Sequence, residues 1–307
     1  MSEWPLIEWL RDRVGAGERL RVGPGDDAAV LLTEPGSQLV VSADAFIEGT
    51  HFARGTEPER IGHKVIAAAV SDIAAMGCYP FHSLVTLGLC PGTDAGFVRA
   101  LGEAMLAAAE RYGAPLAGGD VTSGGPALAI SVTVLGETRG LEPVLRSGAR
   151  AGDRVFVTGE LGGSLLGRHL SAPPRVDEGL FLNRQVGVRA MIDVSDGLST
   201  DLNHVARESG VGVVLRQAAI PVSEDARRME ATDGVPAVRH ALDDGEDFEL
   251  LFTVPPDQTG RLRDTWPFAL AVTEIGEVTE RDVLLEGADG SRRPLKPGGY
   301  EHKWNAR

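Results

Sequence analysis

Lysine is nearly missing from this chain. Of 30 basic side chains only Lys64, Lys296 and Lys303 are lysines. A phosphate loop of the Gly-x-x-x-x-Gly-Lys-[Ser/Thr] type is therefore excluded: Lys64 follows His63 inside a stretch that reads as helix, and the other two lie near the C-terminus. Cysteine is almost as scarce. Cys78 and Cys90 cannot build a disulfide framework, and a reduced, cytoplasmic setting is the natural expectation. With seven histidines they show no paired zinc-ligand spacing. No Gly-x-Ser-x-Gly elbow supports esterase-type nucleophilic catalysis. No apolar run approaches the roughly 20 residues that span a bilayer, and Met1-Ser-Glu-Trp-Pro5 lacks the basic-then-apolar pattern of a secretory leader. No membrane partner is expected. Positive charge is short as well: 44 acidic against 30 basic residues leave a formal charge of −14, which argues against a nucleic-acid partner.

What is present is a 307-residue chain with 43% apolar residues, long enough for about two domains and too apolar for wholesale disorder. Gln38–Asp44 reads as a short apolar strand ending on a carboxylate. Thr56-Glu-Pro-Glu59 has capping-box spacing, and Ile61, Val65, Ala68, Ala69 and Asp72 then share one face of a helix expected to reach Met76. A second helix is expected from Thr93-Asp94 to Tyr112, stopped by Gly113, and a strand over 127–135. The pattern breaks into a polar connection near 137–150, which sets a boundary between domains 1–137 and 138–307. Beyond it, Arg154–Thr158, 191–194 and 248–254 read as strands, 198–210 as a helix, and 171–178 as a loop because of Pro173-Pro174. Strands and helices in both halves predict an α/β (α+β) fold with mixed sheets.

A series of Gly- or Ser-associated aspartates stands at element ends: Gly25-Asp-Asp27, Ser42-Ala-Asp44, Ser71-Asp72, Gly118-Gly-Asp120, Asp193-Val-Ser-Asp196 and Gly245-Glu-Asp247. Taken singly, each reads as a turn or an N-cap. Taken together, short carboxylates following apolar strands converge at a sheet edge, where their repulsion is costly unless cations lie between them. Hard oxygen ligands in that number suit Mg²⁺ or Ca²⁺, and Mg²⁺ usually arrives with substrate phosphates. Two glycine-rich turns, Gly159–Ser164 before an expected helix and Gly118-Gly119, offer backbone amides to an anion; the plainer reading of each is a tight turn.

The ordered set Gly25-Asp-Asp-Ala-Ala-Val-Leu31, Asp44-x6-His51-Phe52, Ser71-Asp-Ile-Ala-Ala-Met-Gly77, Gly118-Gly-Asp120, Arg146-Ser-Gly-Ala, Val157-Thr-Gly-x-Leu-Gly-Gly-Ser164, Ile192-Asp-Val-Ser-Asp-Gly-Leu198 and Gly245-Glu-Asp-Phe-Glu-Leu-Leu-Phe252 resembles the thiamine-monophosphate kinases, within the superfamily shared with aminoimidazole ribonucleotide synthetase. The resemblance runs from about residue 20 to about residue 302. It implies a two-domain aminoimidazole ribonucleotide synthetase-like fold: an N-terminal ATP- and Mg-binding domain that pairs strands across a homodimer, and a C-terminal α/β domain. It implies Mg²⁺-dependent transfer from ATP to thiamine monophosphate. By family position Asp27, Ser42, Ala43, Asp44, Asp72, Asp120, Asp193 and Asp196 would hold metal ions. Tyr112, Gly119, Asp120, Arg146 and Ser195 would meet ATP, and His51, Glu246 and Tyr300 the thiamine phosphate. Three positions depart from the family pattern. Ala43 stands where Thr is usual, leaving only backbone for a contact; Asp243-Asp244 replaces the usual glycines before Glu246; and Lys303-Trp304 replaces the Phe that commonly follows His302. Since the acceptor phosphate has a second pKa of about 6, no general base or covalent residue is expected, and His51 suits substrate contact better than proton transfer. The rivals are superfamily relatives that activate an amide, an amidine or a selenide, and a non-catalytic binder of the same ligands. No cysteine precedes Cys78 to serve selenide chemistry, and the chain ends Asn305-Ala-Arg307 rather than in the cysteine of the hydrogenase-maturation relative.

Overall fold

The structure, a computed structural model, describes Trp9, Arg13, residues 19–22 and residues 30–301. Asp27 lies outside the described residues, as do His302 and Trp304. The chain forms two compact units, one holding the residues up to Ala74 with Cys78–Glu142, the other Ala75–Gly77 with Pro143 onward.

The first unit runs β1 (Leu20–Val22), β2 (Val30–Leu31), β3 (Leu39–Ile47), α1 (Pro58–Ala75), β4 (Tyr79–Leu89), α2 (Ala95–Arg111), β5 (Leu116–Ser123) and β6 (Ala129–Glu137). Helix α1 begins with Pro58, whose missing N–H costs nothing there. The Thr56 hydroxyl just before it donates back to the Ala53 carbonyl at 2.9 Å. Ile61, Val65, Ala68 and Ala69 are buried, as the helical spacing requires. Helix α2 is capped by Asp94, whose side chain accepts from the Phe97 N–H at 3.0 Å, and is stopped by Gly113 at φ +72°. Four strands form a sheet in the order β3-β6-β4-β5, antiparallel except for the parallel β4/β5 pair. β4 is central and almost continuously buried, so it lacks the alternation by which half-buried strands are recognised. β3 alternates cleanly at the sheet edge: Ser42, Asp44 and Phe46 turn inward while Leu39, Val41, Ala43, Ala45 and Ile47 are exposed.

The second unit contains β7 (Arg154–Thr158), α3 (Val176–Phe181) continued as a π turn to Val186, β8 (Ala190–Asp193), α4 (Leu198–Ser209), β9 (Gly212–Arg216), α5 (Glu224–Asp233), α6 (Ala237–Asp243), β10 (Leu250–Val254), α7 (Thr259–Thr265), β11 (Val272–Thr279), β12 (Val283–Glu286) and β13 (Arg292–Pro294). Its mixed sheet has the order β13-β12-β9-β11-β7-β10-β8, with only β12/β9 parallel. Both faces are covered. Val155, Val157, Ile192 and Leu251 pack with Leu198, Leu202 and Val205 of α4. Phe156, Met191 and Phe252 pack with Leu182, Val186 and Leu262, and the two phenylalanine rings stack at 5.8 Å. Two expectations are corrected here. Residues 171–178 are not all loop, since α3 starts at Val176, two residues after Pro173-Pro174, and Gly159–Ser164 leads into two short 3-10 turns, Ser164–Leu166 and Arg168–Leu170, rather than an α-helix.

Candidate functional site

In the first unit β3 and α1 bring three of the expected ligands together. The Ser42 hydroxyl, in the middle of β3, donates to the Asp72 carboxylate on α1. Asp44, two residues along the same face, is largely withdrawn from water beside Asp72, and burial together with that neighbouring charge pushes its carboxyl up to about 7. Ala43 points the other way and is exposed, so only its backbone faces this group. Asp120 is not part of it. It lies exposed on β5, the opposite edge strand, opposite Thr86 of β4. Three inter-strand gaps separate β3 from β5, about 14 Å at the usual spacing. Gly119 has a structural reason as well, since a Cβ there would sit 1.9 Å from the Val85 carbonyl oxygen. Tyr112, the residue after α2, shares a 2.8 Å hydrogen bond with His63 Nε2 on α1. His51, in the turn after β3, accepts at Nδ1 from the Ile47 N–H at 3.0 Å.

The second unit gathers the remainder around the end of β8. Asp193 is buried there, and the Ser195-Asp196-Gly197 turn leads into α4. The Glu246 N–H donates to the Ser195 carbonyl at 2.7 Å and the Tyr300 N–H to the Asp196 carbonyl at 2.9 Å, so the turn is bracketed by both expected substrate residues. The second bracket needs glycine at 299, where a Cβ would meet the Asp196 carbonyl at 1.8 Å. Glu246 itself has φ +52°, an uncommon conformation for a residue with a side chain. Sequence reasoning missed Asp201. It is buried in the first turn of α4, accepts from the Asp196 N–H at 3.1 Å, and burial with the charges of Asp193 and Asp196 raises its pKa well above the ordinary value, opposed by Arg146. His204, one turn on, offers a nitrogen within 4.8 Å of oxygens from Asp196 and Asp201. An acid and a histidine three residues apart just after a strand-borne Asp was the available signal.

The glycine-rich turn after β7 does something other than cradle a foreign anion. The Gly162 N–H donates to both oxygens of Asp247, at 2.9 and 3.1 Å, and the Gly163 N–H to Asp244 at 2.8 Å. The Ser164 hydroxyl donates to the Gly245 carbonyl at 2.6 Å. These amides are satisfied by the chain's own carboxylates. Burial pushes the Asp247 carboxyl up to about 7, opposed by the Arg168 guanidinium 2.7 Å away. Glu249 accepts from Thr158 and Arg175 at 2.6 and 2.9 Å. Asp244 and Asp247 thus clamp the turn.

The AIR synthase related protein family matches this chain in both halves, its N-terminal domain over residues 25–138 and its C-terminal domain over residues 149–285. The thiamine-monophosphate kinase of Rhodopirellula baltica is 38% identical over 98% of this chain and 97% of its own length. The chain belongs to the thiamine-monophosphate kinase family. Among solved structures, the thiamine-monophosphate kinase of Stenotrophomonas maltophilia K279a superposes with a TM-score of 0.81 at 34% identity, covering 94% of this chain and 97% of that one. AaThiL complexed with AMPPCP and TMP gives 0.78 at 31% identity, covering 98% and 97%. The shared architecture is the two-domain aminoimidazole ribonucleotide synthetase-like fold.

Proposed function

We propose that this chain transfers the γ-phosphoryl group of ATP directly to a phosphate oxygen of thiamine monophosphate, giving thiamine diphosphate and ADP. The observation that carries the reading is the Ser42–Asp72–Asp44 group: a family member folds two carboxylates and a hydroxyl together at a cost that a divalent cation would remove. That donor set, all hard oxygen, fits Mg²⁺. Asp27, Ser42, the Ala43 backbone, Asp44, Asp72, Asp120, Asp193 and Asp196 would hold several Mg²⁺ ions. When bound, they neutralise the charge of two polyanions that must meet. Tyr112, Gly119, Asp120, Arg146 and Ser195 bind ATP in this reading, Arg146 by countering phosphate charge. His51, Glu246 and Tyr300 bind thiamine monophosphate.

Residues 1–137 form the ATP- and Mg-binding and dimerisation domain and 138–307 the C-terminal α/β domain. The outer edge of β3, which no strand among the described residues pairs, and its exposed apolar side chains support strand pairing across a homodimer. The composition and the scarcity of cysteine support a cytoplasmic enzyme with no nucleic-acid or membrane partner, and no helix among the described residues is long and apolar enough to cross a membrane.

Incubation with ATP, Mg²⁺ and thiamine monophosphate should yield thiamine diphosphate. Binding of both ligands without product would overturn the kinase reading. Label retained on the protein after exposure to γ-labelled ATP alone would overturn direct transfer.

A further inference from the structure

Lys64 is one of three lysines, and its side chain on α1 is 1% exposed. An ammonium group is costly to bury unless its charge and donors are met. Its Nζ donates to the His51 carbonyl oxygen at 2.6 Å. The same histidine is held at its ring by the Ile47 N–H on Nδ1, and at its backbone by its own N–H donating to the Ile47 carbonyl at 2.9 Å. The Phe46 ring meets the imidazole edge-on at 5.8 Å. A backbone N–H can only donate, so Nδ1 must be the accepting nitrogen and the ring proton of neutral His51 sits on Nε2.

We propose that Lys64 is a positioning residue that, with the Ile47 N–H, holds His51 as the Nε2–H tautomer and so presents one fixed donor to an acceptor oxygen of the phosphorylated substrate. This rests on reading His51 as a substrate contact. Nε2 has no lone pair to accept a proton in this state, which makes His51 a recognition group selective for a ligand bearing an acceptor there. The buried lysine supplies the rigidity. A lysine stem anchored in a helix fixes the turn carbonyl that an exposed turn would otherwise leave to water.

The ligand-free full chain, labelled with ¹⁵N-histidine and assigned by the loss of one signal in His51→Asn, tests this at a pH of about 8, where an unperturbed imidazole is neutral. The expected spectrum shows His51 as a single tautomer, protonated at Nε2. Lys64→Met should average the two tautomers. It should also raise KM for thiamine monophosphate roughly tenfold, the loss of about one hydrogen bond, with kcat within about threefold and KM for ATP within about twofold. A wild-type His51 that is Nδ1-protonated or averaged overturns the lock without any variant. A Lys64→Met protein that keeps the Nε2–H tautomer and its KM, losing only melting temperature, overturns the positioning role. A lock present in the wild type with unchanged KM in His51→Asn supports the lock and overturns the substrate reading beneath it.

Discussion

Asp44 sits half-buried beside Asp72 with its carboxyl pushed up to about 7. The folded chain therefore holds a proton that the unfolded chain, with an ordinary carboxyl near 3.8, releases. Between about pH 4 and 7 the fold binds more protons, so metal-free stability falls as pH rises through that window. Asp247 acts in the same direction. Melting of the chelated protein at pH 5 and pH 8 should give the lower Tm at pH 8, and Asp44→Asn should remove part of that difference. The same substitution should abolish stabilisation by Mg²⁺ and lower kcat about a hundredfold or more; wild-type turnover would refute its assignment as a ligand. Glu246 poses a different question at the same scale. Its φ of +52° costs about 1 kcal/mol that glycine would not. Glu246→Gly should leave Tm unchanged or raised while KM for thiamine monophosphate rises. A fall in both stability and affinity would mean that Glu246 serves the fold instead.

Among the elements, the strand–turn unit after β7 shows how a motif can be read correctly and explained wrongly. Gly159–Ser164 resembles an anion-binding turn, yet its Gly162 and Gly163 amides face Asp247 and Asp244 of the loop before β10. Glycine is required at 162 for another reason: φ is +85° and a Cβ would meet the Ala241 nitrogen at 2.5 Å. Removing the carboxylate leaves the Gly162 N–H without its acceptor and Arg168, which keeps its bonds to the Glu160 and Gly162 carbonyls, without its counter-charge, so Asp247→Ala should cost about 2–3 kcal/mol in urea unfolding at pH 8. A cost below about 0.5 kcal/mol would mean the clamp is not what holds the turn. No sequence pattern announces this pairing, because residues 162 and 247 are separated by α3, β8, α4, β9, α5 and α6. The amphipathic faces of α1 and α4 and the ends of α2 were legible, since each depends on spacing within one element.

At the scale of the whole molecule, β3 carries the open question of assembly. Leu39, Val41 and Ile47 are 50%, 56% and 44% exposed along an edge strand, a surface that monomeric proteins usually protect. Val41→Lys should convert a dimer into a monomer by light scattering with the helix signal intact; an unchanged mass would remove β3 from the interface. Local order in this chain followed in good part from the sequence by itself: the helices α1, α2 and α4, the strands β3, β7 and β8, that two halves exist, and which family the ordered motifs resemble. These are properties of periodicity, capping and residue order, and they survive without knowing what touches what. Tertiary structure alone decided which carboxylates meet. The placing of α1 beside β3 sets Asp44 against Asp72, sheet order leaves Asp120 at the far edge, and α4 brings Asp201 to Asp196. A folded loop returns Asp244 and Asp247 to the glycine turn, while buried Lys64 holds the His51 carbonyl. Each is a contact between residues distant in the chain, and its energy depends on burial, which a sequence does not specify residue by residue.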